Sequence, residues 1–101
     1  MRICVVGAGA IGGILAVKLA LAGHEVCVVL RGSNLAAVQN GGMRLIEESG
    51  TELHAPGIHA TSVIADAGEQ DIIILGMKAH QVAPIADQLP AIMVSNQLLN
   101  I

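Results

Sequence analysis

The chain has 101 residues, 53% of them hydrophobic, with no Phe, Tyr or Trp and a formal net charge of −3. That length is one domain's worth and buries about two thirds of the unfolded surface, in a core that has to be aliphatic. The acidic balance, with no basic run and no aromatic platform for bases, excludes broad nucleic-acid binding, and His24, His54, His59 and His80 lack the spacing of a metal site.

The first stretch, "ICVVGAGAIGGILAVKLALAG", is open to three readings: a secretory signal, a membrane helix, or a strand, turn and helix around a phosphate. Lys18 interrupts the apolar run, and four glycines crowd between Gly7 and Gly13, where a signal core or a spanning helix prefers Leu. The next segment, "HEVCVVLR", reads as another buried strand. The third reading therefore leads, with no membrane segment.

Arg2 to Val6 is expected as the first strand, broken by Gly7, and Ala10 to Ala22 as a helix closed by Gly23. Glu25 to Leu30 is a second apolar strand. A short helix follows through about Asn40, capped by Ser33 or Asn34 and ended by Gly41-Gly42. Met43–Glu47 and Thr51–His54 form a hairpin around Glu48-Ser49-Gly50. Ala60 to Val63 is a short strand, Ala65 to Glu69 a helical turn, and "DIIILG", Asp71 to Gly76, a third buried strand. Ala79 to Leu89 is expected as a helix, although Pro84 inside it moves the start toward Val82 or Ala83. The tail "AIMVSNQLLNI" reads as a last strand. Alternation of strand and helix gives an α/β class: an open, doubly wound, Rossmann-like sheet, mostly parallel. Cys4 and Cys27 fall inside buried strands and are expected as small core residues of a reduced cytoplasmic protein.

The segment Gly7-Ala8-Gly9-Ala10-Ile11-Gly12 fits the GxGxxG pattern between a strand and a helix. Gly7 permits a sharp turn off the strand, Gly9 lets a pyrophosphate approach the backbone, and Gly12 lets the helix pack closely on the sheet. The helix N-terminus then offers its unpaired N–H groups to phosphate. Gly13 is expected to serve helix packing.

An acidic residue about 20 positions beyond such a motif accepts the ribose hydroxyls of NAD. Here the second strand ends in Arg31, whose guanidinium would bind a 2′-phosphate that an acid would repel. The pattern favours NADP (NADPH) over NAD; the competing reading makes Arg31 a solvated loop residue. Lys78 follows the third clear strand, at the end where ligands of open α/β sheets lie, and could hold a phosphate, a nicotinamide ribose or a substrate carboxylate, or snorkel at the surface. Gln81 shares that face or faces solvent.

In order and spacing, "RICVVGAGAIGG", "GHEVCVVLRG", "GMRL" and "MKAHQV" resemble the ketopantoate reductase (2-dehydropantoate 2-reductase) family over about the first 90 residues. The resemblance implies that Gly7 to Gly12 cradle the pyrophosphate, that Arg31 takes the 2′-phosphate, and that Lys78 and Gln81 line the nicotinamide side. It also implies hydride transfer from NADPH to the ketone of 2-dehydropantoate, a small 2-keto acid, for pantothenate and coenzyme A synthesis. Alternatives are a dehydrogenase of another 2-keto acid or polyol phosphate and a non-catalytic nucleotide-sensing module. Neither Asn96 nor Asn100 is followed by Gly, so the family's Asn-Gly motif transfers to neither. The family's helical second domain is missing, so the chain reads as a truncated NADP-binding domain, 1–101, with no catalytic residue of its own and no metal. It is expected to be inactive alone and to associate as a homo-oligomer through the apolar face left bare.

Overall fold

A computed structural model describes residues 1–7, 10–77, 79–92 and 98–100. Seven strands are present among them: β1 (Arg2–Val6), β2 (Glu25–Val29), β3 (Met43–Ile46), β4 (Glu52–Ala55), β5 (His59–Thr61), β6 (Ile72–Leu75) and β7 (Leu98–Asn100). The helices are α1 (Ala10–Leu21), α2 (Gly32–Gly41) and a single α-turn, α3 (Ala79–Val82), with 3-10 segments at Ile64–Ala67 and Ala83–Ile92.

Five strands form one wholly parallel sheet in the order β5-β2-β1-β6-β7. The chain thus winds outward from β1 through β2 to β5, then returns to the other side of β1 through β6 to β7. That reversal is the doubly wound arrangement expected from the alternation of elements, and it leaves a crevice beyond the carboxyl ends of β1 and its neighbours. β3 and β4 form a separate antiparallel hairpin with Met43 opposite Ala55 and Ile46 opposite Glu52.

Side chains alternate along each strand, so each face of the sheet builds its own core. Ile3, Val5, Val26 and Val28 join Ala16 and Val17 of α1 on one face. Cys4, Val6, Cys27, Val29, Ile73 and Leu75 join Leu89 and Ile92 on the other. Fully burying one such aliphatic side chain contributes about 1.5–3 kcal/mol, and strands covered on both faces need an apolar residue at every position.

Three local expectations differ from the structure. α2 starts at Gly32, with Arg31 in the capping position and no side-chain cap bond, so Ser33 and Asn34 lie inside the first turn. Gly32 has φ +64°, a left-handed turn at the helix start that a residue with a Cβ disfavours. β5 runs over His59–Thr61 rather than 60–63, and Val63 is left exposed. The helix expected over 79–89 is one α-turn followed by a 3-10 segment that contains Pro84 and Pro90. Each proline lacks the N–H that an α-helical ladder needs and crowds the preceding turn.

Candidate functional site

The carboxyl ends of β1, β2 and β6 meet through backbone rather than side chains. The Gly7 N–H donates to the Val29 carbonyl at 3.0 Å, and the Gly76 N–H donates to the Val6 carbonyl at 2.9 Å. These two bonds join the three strand ends just where the chain leaves them. Gly7 has φ +77°, a conformation that side chains with a Cβ disfavour. A Cβ on Gly76 would overlap the Gly7 carbonyl oxygen, and one on Gly12 would lie 3.1 Å from that same oxygen and 3.3 Å from a Val5 methyl. Gly7, Gly12 and Gly76 therefore form one packed unit, and α1 sits against the strand ends because all three lack side chains. Gly13 is under no such constraint: a Cβ there would meet only Met43 Cε, at an ordinary 3.8 Å.

Above this unit lies a cleft of about 880 Å³. Gly7 and Gly76 form part of its floor, Arg31 and Asn34 stand on the α2 side, Ser62 lies beyond β5, and Met77 and Gln81 stand on the α3 side. Arg31 is exposed at the capping position of α2, with extended backbone (φ −136°, ψ 158°). Of the residues singled out in the sequence, Gly7, Arg31 and Gln81 are brought to one cavity. Gly12 lies beneath it, and Ala10 opens α1. The side chain of Ile11 is 62% exposed, so only its backbone is available to a phosphate. Ala8, Gly9 and Lys78 lie outside the described residues.

Asn34 and Ser62 are cleft residues that the sequence did not reveal. Asn34 reads as a helix cap until α2 is seen to start two residues earlier. Ser62 lies just past β5, and the rule that ligands sit beyond carboxyl ends reaches it only once β5 is known to lie beside β2.

A second hollow, of about 290 Å³, lies at the opposite edge of the sheet and is lined by Arg2, Glu25, Cys27, His59 and Gln70 among others. Its polar groups bond mainly to one another. Arg2 Nε lies 3.4 Å from Glu25 Oε2, the Arg2 N–H donates to Asp71 Oδ2 at 2.8 Å, and Gln70 Nε2 donates to the Ala67 carbonyl at 2.7 Å. Among the described residues, no cluster of His, Cys, Asp and Glu could hold a metal ion, and no helix is long and apolar enough to cross a membrane.

Residues 3–100 match the family model described as ketopantoate reductase PanE/ApbA. The chain belongs to the ketopantoate reductase family. A 2-dehydropantoate 2-reductase of Mesorhizobium japonicum is 47% identical over 90 residues, which are 88% of this chain and 27% of that protein. One of Archaeoglobus fulgidus is 32% identical over 87% of this chain and 28% of its own length. The chain thus spans little more than a quarter of these curated ketopantoate reductases. A crystal structure of a PanE/ApbA family ketopantoate reductase from Ralstonia eutropha superposes with a TM-score of 0.84 at 27% identity, covering 99% of this chain and 33% of that one. The fold expected from the sequence is the fold these family members share.

Proposed function

We propose that the chain is the NADP-binding part of a reductase that converts 2-dehydropantoate to pantoate. The observation that carries this reading is the cleft: a glycine-built floor at the carboxyl ends of β1 and β6, with an arginine where an NAD site has an acid. The fit to a dinucleotide rests on the packed glycines. Because Gly7, Gly12 and Gly76 carry no side chain, α1 packs directly against the ends of β1 and β6, and a helix N-terminus following such a strand end offers its N–H groups to phosphate.

In this reading the loop from Gly7 through Ala8, Gly9, Ala10, Ile11 and Gly12 holds the pyrophosphate with backbone N–H groups. Arg31 binds the 2′-phosphate through charge-assisted bonds. Lys78 and Gln81 line the nicotinamide side. The bound nicotinamide supplies the hydride. None of these residues is assigned proton delivery to the ketone oxygen.

The Mesorhizobium and Archaeoglobus relatives support the choice of 2-dehydropantoate as the small 2-keto acid partner. A cytoplasmic location belongs to the same reading. So does association as a homo-oligomer, supported by Ile11, Ile14 and Leu21 exposed along α1; a strictly monomeric species in sedimentation would remove that part.

The test is Arg31→Ala. NADPH binding should weaken about ten-fold to a hundred-fold while NADH binding stays nearly unchanged, the range expected for losing hydrogen bonds to a charged group. Raising salt should narrow the wild-type preference, because an exposed ion pair is screened. Titration calorimetry or the cofactor's own emission serves as readout, since the chain has no Trp or Tyr. Equal loss for both cofactors would make Arg31 a structural residue, and unchanged NADPH affinity would remove it from the site. Turnover of the full-length enzyme on a panel of 2-keto acids, with 2-dehydropantoate not preferred, would overturn the substrate.

A further inference from the structure

Cys4 and Cys27 are register partners on the adjacent parallel strands β1 and β2, and both belong to the same face of the sheet. Cys4 is wholly buried, whereas Cys27 retains slight exposure and lines the hollow at the edge opposite the cleft. Both are free thiols. Adjacent strands lie about 4.8 Å apart, and disulfides span Cα separations of about 4.4–6.8 Å, so the Cα spacing of this pair falls within the range a disulfide bridges.

We propose that Cys27 and Cys4 form a redox-active dithiol: Cys27 meets a hydroperoxide through the hollow, and Cys4 closes a reversible cross-strand disulfide. The electrostatics of the pair support that order. Cys27 is lowered from the ordinary thiol range by a hydrogen bond from Cys4, against the effect of burial, and by the positive charge of Arg2. Cys4 is raised by the same hydrogen bond and by burial. The two thiols titrate as a unit, and the first proton leaves Cys27. Glu25, which pairs with Arg2, and His59 are the other titratable groups lining the hollow.

The chemistry balances with hydrogen peroxide as the oxidant. The Cys27 thiolate attacks one peroxide oxygen; an S–O bond forms, the O–O bond breaks, and the departing hydroxide takes a proton to become water. Cys27 is oxidised by two electrons to the sulfenic acid. The Cys4 sulfur then attacks the Cys27 sulfur; the S–S bond forms, the S–O bond breaks, and the hydroxide leaves with the Cys4 proton as water. The product is a bridge between directly opposed strand residues. Their Cβ atoms are held apart by the sheet, so the bond is strained and easily reduced, as reversible disulfides are.

The experiment is peptide mapping of the full protein, folded in buffer, after treatment with hydrogen peroxide and alkylation. Trypsin places Cys4 in peptide 3–18 and Cys27 in peptide 19–31. The expected result is one disulfide-linked species of these two peptides, near-complete loss of both alkylated forms, and full recovery with dithiothreitol. In Cys4→Ala, dimedone should trap a sulfenic acid on Cys27. In Cys27→Ala, labelling of Cys4 should be slower by about ten-fold or more, since the thiolate is the reacting form. Circular dichroism establishes that each variant is folded; if either is not, the wild-type map alone decides. Both cysteines remaining alkylatable at a peroxide dose that exhausts free glutathione would overturn the proposal. So would a linked species that forms only in urea, or dimedone labelling faster on Cys4 than on Cys27. The readout does not involve cofactor, so it stands apart from the reductase reading.

Discussion

The two edges of one parallel sheet differ in what surrounds the backbone bonds that join their strand ends. At the carboxyl edge, strand ends approach through bare backbone: Gly7, Gly12 and Gly76 touch because nothing projects from them, and the cleft of about 880 Å³ opens above. At the amino edge, side chains add to backbone bonds such as Glu25 N–H to the Met1 carbonyl and Asp71 N–H to the Arg2 carbonyl. Arg2 reaches Glu25, Asp71 accepts from the Arg2 backbone, Gln70 bonds Ala67, and the space left is about 290 Å³. An edge defined by missing side chains absorbs added atoms poorly, most of all at Gly76, where the neighbour to be displaced is backbone. The exposed polar side chains of the amino edge, Arg2 and Glu25, can exchange their partners for water, and Gln70 is the buried exception. The two edges should therefore differ sharply in tolerance to substitution.

Gly76→Ala is the most severe way to break this contrast. The new Cβ would overlap the Gly7 carbonyl oxygen, and β1 and β6 are fixed on both sides by their ladder. Overpacking costs about 1–3 kcal/mol where side chains can shift, and backbone against backbone belongs at or above the top of that range. For a domain of this size, about 3 kcal/mol is a fall of roughly 12–24 °C in Tm, readable by far-ultraviolet circular dichroism. An unchanged Tm would mean that the strand ends are not packed as described.

Gly7→Ala and Gly12→Ala should grade the same edge. At Gly7 the φ of +77° is the obstacle, at about 1–2 kcal/mol, with Met77 Cε, 3.0 Å from the new Cβ, free to swing away. At Gly12 the backbone is already helical, and alanine gains about 0.5–1 kcal/mol of helix preference. Against that stands the 3.1 Å contact with the Gly7 carbonyl, which should leave a net loss of about 1 kcal/mol. Urea unfolding should rank Gly76→Ala above Gly7→Ala above Gly12→Ala; a reversed order would show that conformation, not close approach, governs this edge.

Much of the carboxyl edge was legible in advance because its signals are local. β1, β2 and β6 are covered on both faces, so they read as unbroken runs such as "CVV" and "IIIL". Gly7 and Gly12 stand at fixed offsets from β1, and Glu48-Ser49-Gly50 marks the hairpin because Gly50 takes φ +88° there. What stayed hidden depends on contacts distant in sequence. Gly76 reads as a place for close approach of a ligand, and only the fold shows that the group against it is the Gly7 carbonyl. Asn34 and Ser62 reach the cleft only through the true start of α2 and the pairing of β5 with β2. The 3-10 segment after Val82 arises from two prolines, Pro84 and Pro90, acting over ten residues. The amino edge was almost invisible, since Arg2, Glu25 and Gln70 look like ordinary surface residues until the fold gathers them.

The mildest prediction concerns that edge and carries the opposite sign. Gln70 is 3% exposed, and its Oε1 has no hydrogen-bond partner among the described residues, although Nε2 donates to the Ala67 carbonyl. An unsatisfied buried acceptor costs about 1–3 kcal/mol, and an ordinary hydrogen bond contributes about 0.5–1.5 kcal/mol. Gln70→Leu removes both, together with a longer Nε2 bond to the Gly68 carbonyl at 3.5 Å. The Ala67 carbonyl keeps Arg2 Nη2, at 3.4 Å, as a weaker donor, so the loss on that side is partly offset. The net should lie between zero and about 1 kcal/mol of added stability, seen as an unchanged or slightly higher urea midpoint. Glutamate at the same position should do the reverse, since it replaces the donor with a charge that burial opposes. If Gln70→Leu instead lost more than about 1 kcal/mol, Oε1 would have to be held by an ordered water within the edge. The amino edge would then be as closely specified as the carboxyl edge, by a solvent molecule in place of glycine backbone.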